Sequence, residues 1–221
     1  ERFRDDPLRA LRAIQFVARF GLSMSPDTAK ITQEMIPEVK KLPKERVFEE
    51  WKKMLLKSEK PSLGLAAGMA LGILHELHPE FSLLQETPQE YEWHPEGDVW
   101  IHTLMALDEA AYIARRENLD DEKALAVLLA TLCHDLGKSS TTEFTGGRIR
   151  SRAHEEAGIE PTERFLNSLG VDNLTKEKVI KLVTDHLKPA TFYIEETAKG
   201  NMVRDGALRK LAKRIHPASM Y

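Results

Sequence analysis

The sequence predicts an all-α fold, with a helical N-terminal part followed by a helical bundle. Apolar residues recur at helical spacing along the 221 residues. No alternating apolar and polar run is long enough to make a sheet. With Cys133 as the single cysteine, a disulfide framework is excluded and a reducing cytoplasm is the expected location. The longest apolar run, Ala124–Cys133, is too short to span a bilayer, so no membrane partner is expected.

The first helices are well delimited. Asp6 can cap a helix that has Pro7 in its first turn and is stopped by Gly21. Two further helices and an Ala- and Gly-rich helical segment follow over residues 25–39, 43–58 and 61–79. A polar linker at 85–98 then predicts a boundary between domains 1–88 and 89–221.

Helical signals continue after the linker. Asp98 can cap a helix over 99–118, and Asp121 opens an apolar helix that Gly137 closes. Residues 138–152 are predicted to be a loop. Beyond it, a helix is expected over 153–169 with a kink before Pro161. A second helix is expected over 176–187, capped by Thr175 and ended by Pro189. A basic final helix has the apolar positions Val203, Leu208, Leu211 and Ile215.

Charge is unevenly distributed along the chain. Residues 1–60 carry 14 Lys and Arg against 10 Asp and Glu, residues 61–200 carry 13 against 24, and residues 201–221 carry 5 against 1. Basic ends around an acidic middle suit a polyanion-binding flank beside a cation-binding centre, although solvated helix faces would look the same. The start on Glu1 and the stop after "RIHPASMY" predict a piece of a longer polypeptide.

The apolar helix runs into the polar cluster "HDLGK". His134 and Asp135 lie where free carbonyls at the helix end create partial negative charge. A buried carboxylate there costs several kcal/mol unless a cation compensates it. Imidazole and carboxylate together suit a divalent transition metal. The pair therefore predicts half of a metal site.

Other helices can supply the remaining ligands. His102 is flanked by Val99 and Met105 at helical spacing, and Asp185 follows Leu182 by three residues. These two with His134 and Asp135 would form a two-nitrogen, two-oxygen site that leaves coordination positions for water and substrate. Metal-activated water can attack phosphorus, and the Lys138 ammonium could hold a phosphate oxygen. Alternatively, His102 is an ordinary core histidine and Asp185 accepts a hydrogen bond at a helix end.

Residues 95–190 resemble the HD superfamily of metal-dependent phosphohydrolases. The resemblance lies in the order of His102, then His134-Asp135 followed by "LGK", then Asp185. The resemblance implies an all-helical fold and a divalent metal on those four residues; Ni, Mn, Co, Fe, Zn and Mg remain open. It also implies a role for His154 of "RAHEEAG", as a phosphate contact or second-metal ligand. Weaker candidates are His186 and the loop Arg148–Arg152, whereas His75, His78, His94 and His216 are expected to be structural.

A second resemblance covers the N-terminal part. "RFRDDPLRALRAIQFVARFG" followed by "LPKERVFEEWKKML" resembles the neck of the tRNA nucleotidyltransferase and poly(A) polymerase family. There, an Asp-Asp-x-x-Arg pattern reads the nucleotide's base edge, which implies nucleotide binding by Asp5, Asp6 and Arg9. A carboxylate accepts from an exocyclic amine and an arginine donates to ring acceptors. Helix capping by Asp6 beside a surface Arg9 is the alternative, and Asp5 stands where the family usually has Glu.

Together the resemblances imply the neck and HD part of a CCA-adding enzyme without its polymerising head. The HD part would be a phosphatase or 2′,3′-cyclic phosphodiesterase with Asp135, Lys138 and His154 as catalytic residues. Its expected partners are tRNA or other RNA 3′ ends and nucleotide or phosphoester substrates. The alternatives are a tRNA-binding module whose HD cluster is structural and a helical scaffold without chemistry. The oligomeric state stays open.

Overall fold

The computed structural model describes residues 5–219. Residues 1–4, which include the start of the predicted neck motif and of the predicted domain 1–88, lie outside this range. So do residues 220–221 at the end of the predicted domain 89–221. The helices of the N-terminal part are Leu8–Phe20 (α1), Pro26–Val39 (α2), Lys44–Lys57 (α3), Ser62–Ala70 (α4), Ile73–Leu77 (α5) and Pro79–Ser82 (α6). Those of the C-terminal part are Val99–Arg116 (α7), Asp121–Cys133 (α8), Lys138–Thr141 (α9), His154–Ala157 (α10), Ile159–Leu169 (α11), Asn173–Asp185 (α12), Leu187–Thr197 (α13) and Asp205–Ile215 (α14). The all-α prediction is confirmed.

The first helix begins and ends where the sequence predicts. The Asp6 carboxylate accepts the Leu8 N–H, and Gly21 adopts a left-handed conformation with φ of 61° after the last turn. On one side α1 packs against α4, where the two backbones approach closely. A side chain on Gly64 would lie 2.8 Å from the Ile14 carbonyl oxygen, so this crossing requires glycine.

The segment 138–152 is a structured element rather than the predicted loop. It forms the short helix α9 and an antiparallel hairpin of Thr142–Thr145 (β1) and Arg148–Ser151 (β2). Gly146 and Gly147 connect the strands with φ of 62° and 77°. Positive φ at both turn residues matches the twist of a hairpin, and glycine adopts it without strain.

Two proline predictions have different outcomes. The helix expected over 153–169 is divided at Gly158, so that Pro161 lies in the first turn of α11. Pro189 was predicted to end a helix, but it lies in the first turn of α13, where a missing N–H leaves no helical hydrogen bond unmade. That prediction was therefore wrong.

The core is continuous between the two parts of the chain. Trp51 of α3 meets Phe165 of α11 at a ring-centroid distance of 5.2 Å, and Phe81 meets the same ring at 4.8 Å. Arg115 of α7 donates to the carbonyl oxygen of Ser58 beyond the end of α3. The boundary between 1–88 and 89–221 stays a prediction. Among the helices between residues 5 and 219, none combines the length and apolar character that crossing a membrane requires.

His78 occupies this shared core. Its ring lies 5.1 Å from Trp51 and 5.0 Å from Phe165, and Nδ1 lies 3.3 Å from the Ser168 hydroxyl. Burial lowers the pKa of His78 to about 3. Because an unfolded histidine titrates near 6.5, the unfolded state binds the extra proton as pH falls below that value.

We therefore expect acid to destabilise the fold through His78. Between pH 6.5 and about 3, this group lowers the free energy of unfolding by about 1.4 kcal/mol per pH unit. His78→Phe keeps an aromatic ring but should flatten the pH dependence measured by urea unfolding at pH 7, 6 and 5. Burial raises the pKa of Glu80, so this group makes the free energy of unfolding rise as pH falls, in the wild type and in His78→Phe. The exposed His75→Gln is the control, and an unchanged slope in His78→Phe would contradict the expectation.

Candidate metal centre

Five side chains converge around the end of α8. His134 and Asp135 follow its last residue, and Asp135 is only 1% exposed. The other three are His102 on α7, His154 at the start of α10 and His186 after the end of α12. Asp98 caps α7 by accepting the Ile101 N–H, as predicted, and so fixes the start of the helix that carries His102.

The ring nitrogens of these histidines face the Asp135 carboxylate from two sides. On one side, Nε2 of His134 and of His102 lie 3.1 and 3.8 Å from Oδ2. On the other, Nε2 of His154 and of His186 lie 3.3 and 3.9 Å from Oδ1. Two groups able to hold a metal ion therefore share Asp135, one with His102 and His134 and one with His154 and His186.

The opposite nitrogen of each ring contacts an oxygen that can only accept a hydrogen bond. Nδ1 of His134, His154 and His186 lies 2.7, 2.7 and 2.6 Å from the carbonyl oxygens of Thr131, Ser151 and Val183, respectively. For His102 the acceptor is the Glu96 carboxylate, 2.7 Å away. Nδ1 must therefore carry the proton, which leaves an Nε2 lone pair directed at the centre in each neutral ring.

These lone pairs require a cation or a proton between them. Nε2 of His134 lies 3.4 Å from Nε2 of His102, and Nε2 of His154 lies 3.3 Å from Nε2 of His186. Two neutral acceptors at this separation repel each other. Neither oxygen of the buried Asp135 receives a well-directed hydrogen bond from the described residues. Convergent imidazole lone pairs fit a divalent metal, as does a buried carboxylate that accepts no well-directed hydrogen bond, although the Lys138 ammonium lies 2.9 Å from its Oδ2.

The electrostatics differ among the histidines of the cluster. Burial lowers the pKa of His186 to about 4 and also lowers the pKa of His102, so both rings are neutral at neutral pH. Burial acts in the same direction on His154, but the Asp135 carboxylate and the Ser151 carbonyl outweigh it and raise the pKa of that ring. Burial alone would raise the pKa of the Asp135 carboxyl, but His134, His154 and Lys138 outweigh it and hold the pKa below its usual range. Neutral imidazole and ionised carboxylate are the forms that bind metals.

Lys138 lies at the edge of the cluster. Its Nζ is 2.9 Å from Oδ2 of Asp135 and donates to Oε1 of Gln89 at 2.8 Å. The close backbone approach around Gly137 brings α9 and α10 together. A Cβ on Gly137 would lie 2.0 Å from the His154 carbonyl oxygen. This glycine therefore sets the distance between Asp135 and His154.

Asp185 is held by a different partner. Its carboxylate contacts the Arg214 guanidinium of α14 at 2.8 and 3.1 Å. It does not belong to the groups of potential metal ligands found among residues 5–219, whereas the adjacent His186 does. The assignment of Asp185 as a ligand stays a prediction, and His186, the weaker candidate from the sequence, lies closer to the centre.

The linker contributes residues that the sequence did not single out. Glu96 contacts Nδ1 of both His94 and His102, and these three form a further group able to hold a metal. Gln89 contacts Lys138. The linker's length and polarity carry no signal for these contacts, because Gln89 lies 49 residues from Lys138 and Glu96 meets His102 across the irregular backbone before α7, where no regular spacing applies.

The predicted nucleotide-reading residues lie at the start of α1. Asp6 accepts from Arg46 at 2.9 Å as well as from the Leu8 N–H, and these bonds hold the pKa of its carboxyl below the usual range although burial acts against them. Arg9 is half-buried and adds to the positive potential at Asp6, whereas Asp5 is exposed. The capping role of Asp6 is confirmed. The nucleotide-binding role of the three residues stays a prediction.

Comparison with known families gives two matches along the chain. Residues 21–84 match the family described as "Probable RNA and SrmB- binding site of polymerase A". Residues 99–216, more than half of the chain, match the HD domain. The chain belongs to the HD domain family. The His134-Asp135 pair lies within the matched residues.

Curated relatives combine both regions. The chain is 36% identical over 189 residues to a Multifunctional CCA protein of Actinobacillus pleuropneumoniae serotype 5b (strain L20), which covers 83% of this chain and 44% of the relative. The proteins of the same name from Pasteurella multocida (strain Pm70) and Acinetobacter baumannii (strain AYE) are 36% and 35% identical over 168 and 193 residues. They cover 74% and 85% of this chain and 39% and 44% of the relatives. The chain thus spans less than half of these relatives and corresponds to a neck plus HD domain of a CCA-adding enzyme.

Proposed function

We propose that the HD domain is a divalent-metal-dependent phosphohydrolase that acts on nucleotides or RNA ends as a phosphatase or 2′,3′-cyclic phosphodiesterase. The observation that supports it most is the set of Nε2 lone pairs directed at both oxygens of Asp135. A metal held there would supply Lewis acidity and activate water for attack on phosphorus. The imidazole-rich set favours Ni, Co, Fe or Zn over Mg, with Mn also worth testing.

Each proposed catalytic residue has a distinct task. Asp135 would hold a metal together with the histidines that face its two oxygens, and its buried position keeps the carboxylate away from bulk water. Lys138, which already pairs with that carboxylate, can turn its ammonium towards a phosphate oxygen as a point charge. His154, whose Nε2 lies 3.3 Å from Oδ1 of Asp135, would ligate a second metal ion or, when protonated, donate a hydrogen bond to the phosphoryl group.

The direct test combines metal analysis with turnover. The protein is stripped with a chelator, reloaded separately with Ni²⁺, Co²⁺, Mn²⁺, Zn²⁺ or Mg²⁺, and assayed on bis(p-nitrophenyl) phosphate and 2′,3′-cyclic AMP. We expect stoichiometric binding of at least one of the transition metals and hydrolysis that depends on it. A protein that binds none of these metals and hydrolyses neither substrate would contradict the proposal.

The metal affinities of variants at the adjacent residues Asp185 and His186 test the proposed set of metal ligands. We propose His102, His134, Asp135, His154 and His186 as ligands. Asp185, which the sequence predicts as the fourth ligand beside His102, His134 and Asp135, is the alternative to His186 if it releases Arg214. His186→Ala should weaken metal binding by about 10-fold or more, the scale of loss seen when even an outer metal contact is removed. Asp185→Asn should leave metal affinity within about 2-fold and lower stability instead, because Arg214 loses its buried partner. Isothermal titration with metal measures both, and the reverse ranking would assign Asp185 as the ligand.

We also propose that the whole protein adds nucleotides to tRNA in the cytoplasm, with Asp5, Asp6 and Arg9 reading the nucleotide. Its support is the name of the relatives and the sequence pattern at α1. RNA binding by this chain alone is a second candidate function, favoured by the match at 21–84 and the basic ends. Its affinity for tRNA should fall steeply with salt. If tRNA does not bind at low salt, this second function fails independently of the hydrolase.

A further inference from the structure

One histidine of the metal centre is held differently from the other three. Nδ1 of His134, His154 and His186 contacts a backbone carbonyl oxygen three residues earlier in the chain, so each of these rings is oriented by the backbone next to it. His102 lies inside α7, and its Nδ1 contacts Oε1 of Glu96 at 2.7 Å. Of the four rings, His102 is therefore the one whose orientation depends on a side chain.

The position of each ring along its helix explains this difference. The last carbonyl oxygens of a helix lack helical partners and can accept from a side chain, as they do for His134 and His186 after α8 and α12. Carbonyl oxygens inside a helix are already used. That of Val99, three residues before His102, accepts the Thr103 hydroxyl at 2.8 Å. An imidazole at this point of α7 must find its acceptor in another segment, and the loop before the helix supplies it.

Glu96 is held in place by the residues around it. Nδ1 of His94 contacts the same Oε1 at 3.0 Å, and only 16% of the Glu96 side chain is exposed. Two residues later, Asp98 fixes the start of α7 as its cap. The Gln89 amide donates to the carbonyl oxygen of Gly97 at 3.4 Å. The carboxylate is consequently fixed through its own oxygen and through the backbone that follows it.

Glu96 places a negative charge behind His102. Burial acts to raise the pKa of Glu96, but hydrogen bonds from His94 and His102 outweigh it and lower the pKa to about 2. A carboxylate on one nitrogen of an imidazole fixes the tautomer and makes the other nitrogen a stronger metal ligand. The Lys138 ammonium lies 2.9 Å from Oδ2 of Asp135, the oxygen that His102 faces, and repels a cation there. The Glu96 charge offsets part of this repulsion.

A separate metal ion between His94, Glu96 and His102 is the alternative use of these three side chains. It would require Nδ1 of His102 to lose its proton, and His102 would then have to bridge two ions if its Nε2 also binds metal. Distances of 2.7 and 3.0 Å from one carboxylate oxygen to two ring nitrogens are those of hydrogen bonds. The geometry therefore favours hydrogen bonding over metal ligation by this group.

We propose that Glu96 is a positioning residue of the metal centre. It fixes the orientation and the tautomer of His102, and His94 in turn holds Glu96 through the same oxygen. This inference rests on the metal centre of the proposed function, and it makes metal affinity depend on a carboxylate that is not itself a ligand.

Metal titration of Glu96→Gln tests this role. The amide has the same shape but no charge, and its NH₂ group can donate to Nδ1 of His102, which favours the tautomer whose Nε2 carries the proton. We expect the affinity for Co²⁺ and Ni²⁺ to fall by about 10-fold or more, the scale known for outer-shell partners of metal-bound histidine. The visible absorption spectrum of bound Co²⁺ should change as well, and the Tm of the metal-free protein shows whether the fold is intact.

Two further variants complete the comparison. Glu92→Gln removes a carboxylate from the same loop, where it pairs with Arg148, and should leave metal affinity within about 2-fold because an exposed ion pair contributes little. His94→Phe keeps the Glu96 charge and should give a loss smaller than that of Glu96→Gln. If Glu96→Gln does not fold, His94→Phe against Glu92→Gln decides the inference by the same titration.

The outcomes separate this inference from the hydrolase. If the wild type binds Co²⁺ or Ni²⁺ but hydrolyses no substrate, the proposed function fails, and the metal affinities still decide the role of Glu96. Wild-type affinity and spectrum in Glu96→Gln, or an equal loss in Glu92→Gln, would overturn the inference. So would the loss of one bound ion with the affinity of the rest unchanged, which would assign a separate ion to the group around Glu96. A wild type that binds neither Co²⁺ nor Ni²⁺ would also overturn it, whereas Mn²⁺, Zn²⁺ and Mg²⁺ would still decide the proposed function.

Discussion

Asp135→Asn is expected to abolish stoichiometric metal binding and metal-dependent phosphoester hydrolysis. Asp135 is the one residue shared by both histidine groups, so its neutralisation weakens the two together. Removing an outer-shell contact already costs about 10- to 100-fold in metal affinity, and removing a direct carboxylate ligand should cost at least about 100-fold. Inductively coupled plasma mass spectrometry and metal titration measure this loss.

Thermal unfolding supplies a second measurement for the same variant. At a metal concentration about 100 times Kd, binding stabilises the wild type by about 2.7 kcal/mol, and the variant should lose that increment. Asp205→Asn, an exposed aspartate in the first turn of α14, is the matched control and should keep the full metal-induced rise in Tm. Wild-type metal affinity in Asp135→Asn would contradict the assignment of Asp135 as a metal ligand.

Gly137→Ala is expected to damage the centre without touching a titratable group. The new Cβ would lie 2.0 Å from the His154 carbonyl oxygen and 2.5 Å from the Gly158 nitrogen, and both obstacles are backbone. Forcing a methyl group into packed surroundings costs about 1–3 kcal/mol, and a clash with fixed backbone costs more. In a protein of this size each kcal/mol lowers Tm by about 2–4 °C.

The control for this variant is Gly206→Ala in α14. Gly206 has no atoms within 4 Å of its added Cβ and lies inside a helix, so alanine should be neutral or stabilise by up to about 1 kcal/mol. Circular dichroism melts and metal titration of both variants give the comparison. A Gly137→Ala protein with wild-type Tm and metal affinity would show that α9 and α10 can separate freely.

The sequence predicts the centre best where the signal is local. "HDLGK" at the end of an apolar run marked His134, Asp135 and Lys138, and the Asp98 cap placed the helix of His102. It favoured Asp185 over the adjacent His186 as a ligand, a choice that the local pattern alone does not justify. Adjacent helical residues point about 100° apart, so at most one of them faces the centre directly. The ion pair of Asp185 with Arg214 in α14 is a tertiary contact that the sequence does not reveal.

Tertiary contacts account for the other differences between prediction and structure. Glu96 and Gln89 lie in a segment whose polarity predicted only a linker, and their partners are on α7 and α9. The hairpin did carry a local signal, the Gly146-Gly147 pair, but its strands are only four residues each and too short for a clear alternation. Pro189 was compatible with both ending a helix and beginning one.

The aromatic cluster of Trp51, Phe81 and Phe165 buries two rings of the neck against one ring of the HD domain. A protease that cuts the connecting segment would leave two fragments still bound to each other, because separating them would expose these rings to water.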